Sequence, residues 1–298
     1  MHSANNERVL EHEPSLARAV HMATLLAILA WSNIFAQAPP AQATDTDTVA
    51  TQSSAMVTRR GIAFAGAAVV ATGLLAPFDH PIQRTMQAED LQDNKALHRT
   101  ASAFGFSGGP GPFIAAGALY LFGRATSSQR FASLGVHLTE GIVLAAGLNG
   151  IVKGVSGRAL PNAKSGEPGD FSFGRGFHDG NGSFVSFPSG HTAASFAAAA
   201  VLTDEVSSCD CSATRIVGPL AYSTATLVAL SRLYQNVHWA SDLPLGAAIG
   251  VLSGKTVVSW QRRHPGNWLD RYLAGVTLVP DGHRIRVATT VPVGSNPH

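Results

Sequence analysis

Ser231-Arg232-Leu233-Tyr234-Gln235-Asn236-Val237-His238-Trp239-Ala240-Ser241-Asp242 joins two apolar runs and carries an arginine, a histidine six residues later and an aspartate four beyond that. Arginine supplies a permanent, planar cation that fits phosphoryl oxygens. Histidine supplies a nucleophile or proton carrier that is largely neutral near pH 7. The aspartate, about one helical turn further on, can hold one ring nitrogen and leave the other free to attack. A second cluster lies upstream, Phe187-Pro188-Ser189-Gly190-His191-Thr192, and before it stand Lys153 and Arg158. Each cluster has a plainer reading. Ser189 fits an ordinary helix cap, Asp242 a cap two residues before Pro244, Lys153 and Arg158 a helix end whose dipole favours cations, and Arg232 a snorkelling surface cation. Packing alone does not account for all three clusters at the edges of apolar helical segments.

Pro188-Ser189-Gly190-His191, followed by Ser231-Arg232 with His238 and Asp242, resembles the second and third motifs of the type 2 phosphatidic acid phosphatase and vanadium haloperoxidase superfamily. The family's first motif is a lysine, six residues, then Arg-Pro. Lys153 and Pro161 match it, Leu160 stands at the arginine position, and Arg158 lies two residues earlier. The resemblance covers roughly residues 60 to 260.

Around the motifs run six apolar segments, near 61–77, 110–123, 134–152, 191–203, 215–230 and 243–259. Each is long enough for a helix and none alternates like a strand. The expected fold is therefore all-α, a bundle of about six core helices, with a small β-hairpin at the C-terminus where Asp281-Gly282 separates two β-prone runs. The first segment, Gly61 to Phe78, carries no charge over 18 residues and can span a bilayer. Glu140 and Lys255 interrupt the third and sixth, and most uncharged runs are shorter, which suits buried helices of a soluble protein better. Against this, Arg59-Arg60, Arg124 with Arg130, and Arg262-Arg263 fall mostly on one side of a six-span arrangement. All three clusters then fall on the other side, facing the periplasm.

Composition narrows the classes. Charged residues are 13% and the net charge is +2, which excludes a nucleic-acid partner in the absence of any basic patch with interleaved aromatics. The 30 glycines and abundant alanine suit closely packed helices. Cys209 and Cys211 have poor spacing for zinc and strained spacing for a disulfide. No His/Asp/Glu/Cys set has convincing metal-ligand spacing. Gly250-Val251-Leu252-Ser253-Gly254-Lys255-Thr256 is one residue short of a P-loop and lies in a helical run, so it reads as packing. Gly108-Gly109-Pro110-Gly111-Pro112 reads as a turn before a helix. Arg8 and Arg18, an apolar run to Phe35 and two Ala-x-Ala sites mark residues 1–43 as a signal peptide or N-terminal anchor. Residues 44–58 read as a flexible linker, 59–264 as the helical domain and 265–298 as the hairpin tail. The glycine-rich connection from Gly154 to Phe187 is expected to rim the site, with Arg175 and His178 in reach of substrate.

The resemblance implies a metal-independent phosphatase of the bacterial cell envelope with no cofactor, for which vanadate is an inhibitor. Lys153, Arg232, Arg158 and the groups around Ser189 and Gly190 would bind phosphate. His238 would attack phosphorus, oriented by Asp242, and His191 would protonate the leaving oxygen and then activate water. Implied substrates are lipid phosphates (phosphatidate, polyprenyl diphosphate or lipid A type) with membrane association. A soluble periplasmic acid phosphatase acting on small phosphomonoesters, a vanadate-dependent haloperoxidase, and a weakly active phosphate- or lipid-binding relative are the rival readings.

Overall fold

The computed structural model describes residues 58–264 apart from Ser165, Asp210 and the side chains of Cys209 and Cys211, together with Asn267 and the backbone of two C-terminal strands. The expected signal peptide or anchor, and the linker up to residue 57, lie outside the described residues. The described domain is helical. Its elements are α1 (Arg59–Leu75), a 3-10 turn (Ala76–Phe78), α2 (Asp79–Met86), α3 (Glu89–Gln92), α4 (Lys95–Gly108), α5 (Gly111–Ala125), α6 (Gln129–Ser156), α7 (Gly190–Cys209), α8 (Cys211–Tyr234) and α9 (Asp242–Arg263).

Each of the six apolar segments lies almost wholly within a helix. Thr58 starts α1 by accepting the Gly61 N–H at 3.0 Å. Gly157, with φ of +53°, ends α6 in the left-handed conformation that glycine adopts without a side-chain penalty. α6, α7 and α9 pack on one another and form the centre. α8 lies on α7, α5 on α6, α1 on α9, and α4 against α8. Where α9 crosses α7, Gly246, Gly250 and Gly254 face Ser189, Ala193 and Ala197, and a methyl group at Gly254 would come within 2.6 Å of the Ala197 carbonyl. Small residues thus bring the two main chains into contact, and the P-loop-like run is packing, as its sequence context predicts.

Arg59–Met86, Gln129–Ser156, Ser212–Tyr234 and Asp242–Arg263 are long and apolar enough to cross a membrane. By length and composition, therefore, four helices and not the first alone can span, which favours the six-span side of the two conflicting sequence signals. The interior charges do not end the helices because they are paired across helices. Glu140 Oε2 accepts from Gln261 Nε2 at 2.7 Å, and Lys255 Nζ donates to Asp204 Oδ1 at 3.0 Å. The strands Val276–Asp281 and Arg284–Thr289 are antiparallel, Val276 opposite Thr289. The turn of the expected hairpin and all its side chains lie outside the described residues.

Candidate active site

The helix ends carry the chemistry because helices that start or stop there expose main-chain donors and acceptors. Ser189 closes the cis Phe187–Pro188 turn and opens α7. Its Oγ accepts from the Thr192 N–H at 3.4 Å and the Thr192 hydroxyl at 2.9 Å, which leaves its own hydrogen to donate. Its N–H donates to the Asp242 carbonyl at 3.1 Å, so the start of α7 is tied directly to the start of α9. Lys153, one turn before the end of α6, donates to the carbonyls of Val185 and Ser186. Arg232, in the last turn of α8, donates to Gln235 and Ser231. Gln235 in turn donates to the Ala101 carbonyl of α4 at 3.2 Å.

His238 sits in the short connection between α8 and α9, 7% exposed. Its Nδ1 faces Asp242 Oδ2 at 3.4 Å, and this leaves Nε2 as the nitrogen for attack. At 3.4 Å the pair is an electrostatic contact longer than a good charge-assisted hydrogen bond. The nearer partners of Oδ2 are the Ser186 hydroxyl at 2.6 Å and the Trp239 N–H at 2.8 Å. Burial pushes the His238 imidazole below its ordinary value, against the opposing pull of Asp242. Burial, reinforced by the charges of Arg232, His238 and Lys153, lowers His191 to about 4. Lys153, His191, Arg232 and His238 therefore share one electrostatic neighbourhood, and Asp242 is the carboxylate that meets it.

The structure thus brings together Lys153, Ser189, Gly190, His191, Arg232, His238 and Asp242. Arg158 is placed differently. It was expected to reach a phosphate, but its Nε donates to the Pro168 carbonyl at 2.9 Å, one terminal nitrogen to Ser241 Oγ at 2.8 Å and Asp242 Oδ1 at 2.5 Å, and the other to Asp79 Oδ2 at 2.7 Å. Every guanidinium nitrogen is engaged behind Asp242. The chain leaves α6 at Gly157 and carries Arg158 into the wall of the site. On the rim, Arg175 stacks over Phe184, its Cζ 3.6 Å from the ring centroid.

Sequence reasoning missed four contributors. Ser186 and Asp79 serve Asp242 and its neighbour Ser241, one directly and one through space from a distant helix. Asn149, one turn before Lys153, donates to the Pro188 carbonyl at 3.2 Å and braces the turn before α7. The fourth is α4 with the Gly108–Pro112 turn. A methyl group at Gly105 would collide with the Arg232 guanidinium, and one at Gly109 would lie 3.1 Å from His191 Nε2. The turn is a wall of the site. Its glycines gave the one signal of close approach available in the sequence.

The sequence profile of the PAP2 superfamily matches residues 134–265. The lipid A 1-phosphatase of Porphyromonas gingivalis is 40% identical over 87 residues, 29% of this chain and 18% of that protein, so the match spans under a fifth of the relative's length. A crystal structure of a transmembrane PAP2 type phosphatidylglycerolphosphate phosphatase from Bacillus subtilis is similar at 16% identity, covering 70% of this chain and 100% of that one with a TM-score of 0.46. The segment that matches the PAP2 superfamily, residues 134–265, is the one that holds Lys153, Ser189, His191, Arg232, His238 and Asp242.

Proposed function

We propose that the protein is a metal-independent phosphatase that removes a phosphate group from a lipid through a phosphohistidine intermediate. The observation that carries this reading is the convergence of Lys153, Arg232 and the α7 N-terminus on a buried histidine backed by a carboxylate. Two fixed cations and a helix start suit a phosphoryl group whose charge grows in the transition state. His238 Nε2 bonds to phosphorus while the bond from phosphorus to the leaving oxygen breaks, and His191 gives that oxygen a proton. Because His191 is neutral in the empty pocket, this proton enters with the phosphate, either carried by a monoanion or drawn in by the arriving negative charge. Water then attacks phosphorus, His191 takes its proton, the P–N bond breaks and inorganic phosphate leaves. Lys153 and Arg232 fill the charge-neutralising role that a divalent ion has in other phosphatases.

The membrane reading is supported by the four long apolar helices. Arg59, Arg60, Arg124, Arg130, Arg262 and Arg263 stand at helix ends opposite to those that bear the site. With positive residues on the cytoplasmic side, the site faces the periplasm. The relative's lipid A 1-phosphatase name makes a glycolipid phosphate the first substrate to assay. Turnover of lipid A, phosphatidate and a soluble phosphomonoester by the purified protein tests the reading directly. His238→Ala should lower kcat by about four orders of magnitude. Wild type quenched in alkali during turnover should retain phosphate on His238. Undiminished turnover in His238→Ala refutes the mechanism, and equal efficiency on the soluble ester refutes the lipid preference.

A further inference from the structure

We infer that Asp79 and Arg158 are positioning residues for His238, forming with Asp242 a buried charge array that orients the attacking ring and stabilises its phosphorylated form. The inference rests on the phosphohistidine reading above. Asp79 is 1% exposed, Arg158 3% and Asp242 0%. Charges so deeply buried are tolerable only when paired and hydrogen-bonded. Here the bonding is nearly complete. Asp79 Oδ1 accepts from the Ser241 N–H at 2.9 Å, and its Oδ2 accepts from the Ser241 hydroxyl at 2.6 Å and from Arg158 at 2.7 Å. The Arg158 plane lies between aromatic faces, its Cζ 5.8 Å from the Trp239 ring centre and 5.1 Å from that of Phe171.

This has two consequences for the nucleophile. First, Arg158 pins Asp242 Oδ1, so the carboxylate cannot turn, and Oδ2 is held toward Ser186, Trp239 and His238 Nδ1. A fixed carboxylate keeps the ring proton on Nδ1 and Nε2 free. Second, two carboxylates and one guanidinium sum to one net negative charge. That charge faces the ring that turns positive when Nε2 bonds to phosphorus while Nδ1 keeps its proton. Asp79 is what makes the sum negative. Without it, Arg158 would cancel Asp242 and leave the phosphorylated ring without a counter-charge. Asp79 opens α2 directly after α1 and its 3-10 turn, so the most exposed apolar helix delivers a carboxylate to the back of the site.

The isosteric Asp79→Asn, with Arg158→Lys and Arg158→Ala, separates this role from phosphate binding and from simple support of the fold. With the purified full chain in detergent, kcat on a phosphomonoester should fall about 10–100-fold in Asp79→Asn and Arg158→Ala. KM and the inhibition constant of inorganic phosphate, a ground-state ligand, should stay within about threefold of wild type, since neither residue meets the phosphate. Guanidinium ion should partly restore Arg158→Ala. In histidine-labelled NMR spectra, Asp79→Asn should shift the His238 ring titration downward. If inhibition by inorganic phosphate weakens in step with kcat in the Arg158 variants, Arg158 is a phosphate ligand and the inference is wrong. Activity within twofold of wild type in Asp79→Asn overturns it as well. Should Arg158→Ala fail to fold, Asp79→Asn and Arg158→Lys decide by the same readouts. An inactive wild type would refute the phosphatase reading instead, and the His238 titration would still judge the array.

Discussion

The two ends of α6 carry polar side chains of similar kinds to opposite effect. Toward its N-terminus, His137 meets Glu205 at 2.9 Å, Glu140 meets Gln261 and, on the neighbouring helices, Lys255 meets Asp204. Those carboxylates each have a donor from another helix, and the cluster serves to hold helices together. Toward the C-terminus, about 24 Å along the helix axis from His137, Lys153 and Arg232 have no carboxylate partner among the described residues. They lean on carbonyl and amide oxygens, which orient a cation without neutralising it. Two carboxylates at this end, Asp79 and Asp242, are turned to Arg158 and His238. A cluster in which each carboxylate already has a donor from a neighbouring helix is a fastening. One whose cations outnumber its anions is a receptor for an anion, and the stability lost by leaving those cations unpaired is recovered when the anion arrives.

Arg232→Gln tests this contrast most severely. It removes a cation from the receptor while keeping a polar side chain, and should lower kcat/KM by about 10²–10³-fold with thermal unfolding little changed. An unaltered kcat/KM would mean that the charge excess has no catalytic role. Acid should separate the two ends next. His191 and His238 are held neutral in the fold, with His191 near 4. The unfolded chain therefore binds protons at these positions below about pH 6.5 that the empty folded site refuses. Stability should fall as pH drops from about 6.5 toward 4, by at most ~1.4 kcal/mol per pH unit for each ring. Inorganic phosphate should blunt the fall. Melting curves between pH 7 and 4.5 check this. His191→Gln should flatten the decline, and a slope unchanged in that variant would contradict it. The smallest effect is expected at the fastening end. Glu205→Gln weakens the bond to His137 and should cost about 1–2 kcal/mol of stability, with kcat per folded molecule within twofold of wild type. A large loss of kcat there would show that the two ends are not separable.

Much of this site is legible in the sequence because its groups sit at helix ends within two compact motifs. Ser189, His191, Arg232, His238 and Asp242 each stand beside an apolar run, so the order of runs and motifs already gathers them at one end of a bundle. What escaped was long-range. Asp79 meets Arg158 across 79 residues, and Arg158 meets Asp242 across 84. No local pattern marks which of two partners, a phosphate or a carboxylate, a buried arginine will take. α4 was invisible for a different reason. Its sequence Lys95-Ala96-Leu97-His98-Arg99 opens with charges and polar groups, as suits a helix whose first turns are exposed, and has no continuous apolar run. Glu140 and Lys255 weigh against a span when read along the sequence, because their partners Gln261 and Asp204 stand on other helices, far away in the chain.

The contact of α7 with α9 sets how much error the site can absorb. Ser189, whose N–H donates to the Asp242 carbonyl, is positioned by glycine lying on backbone, with little side chain between the two helices to flex or repack. A core lined with leucines can redistribute a small displacement over many rotamers. A glycine seam has no such slack. A single methyl group at Gly246 would come within 2.6 Å of the Ser189 carbonyl and push the two helix ends apart, so the spacing of acid and nucleophile is fixed by the thickness of bare main chain.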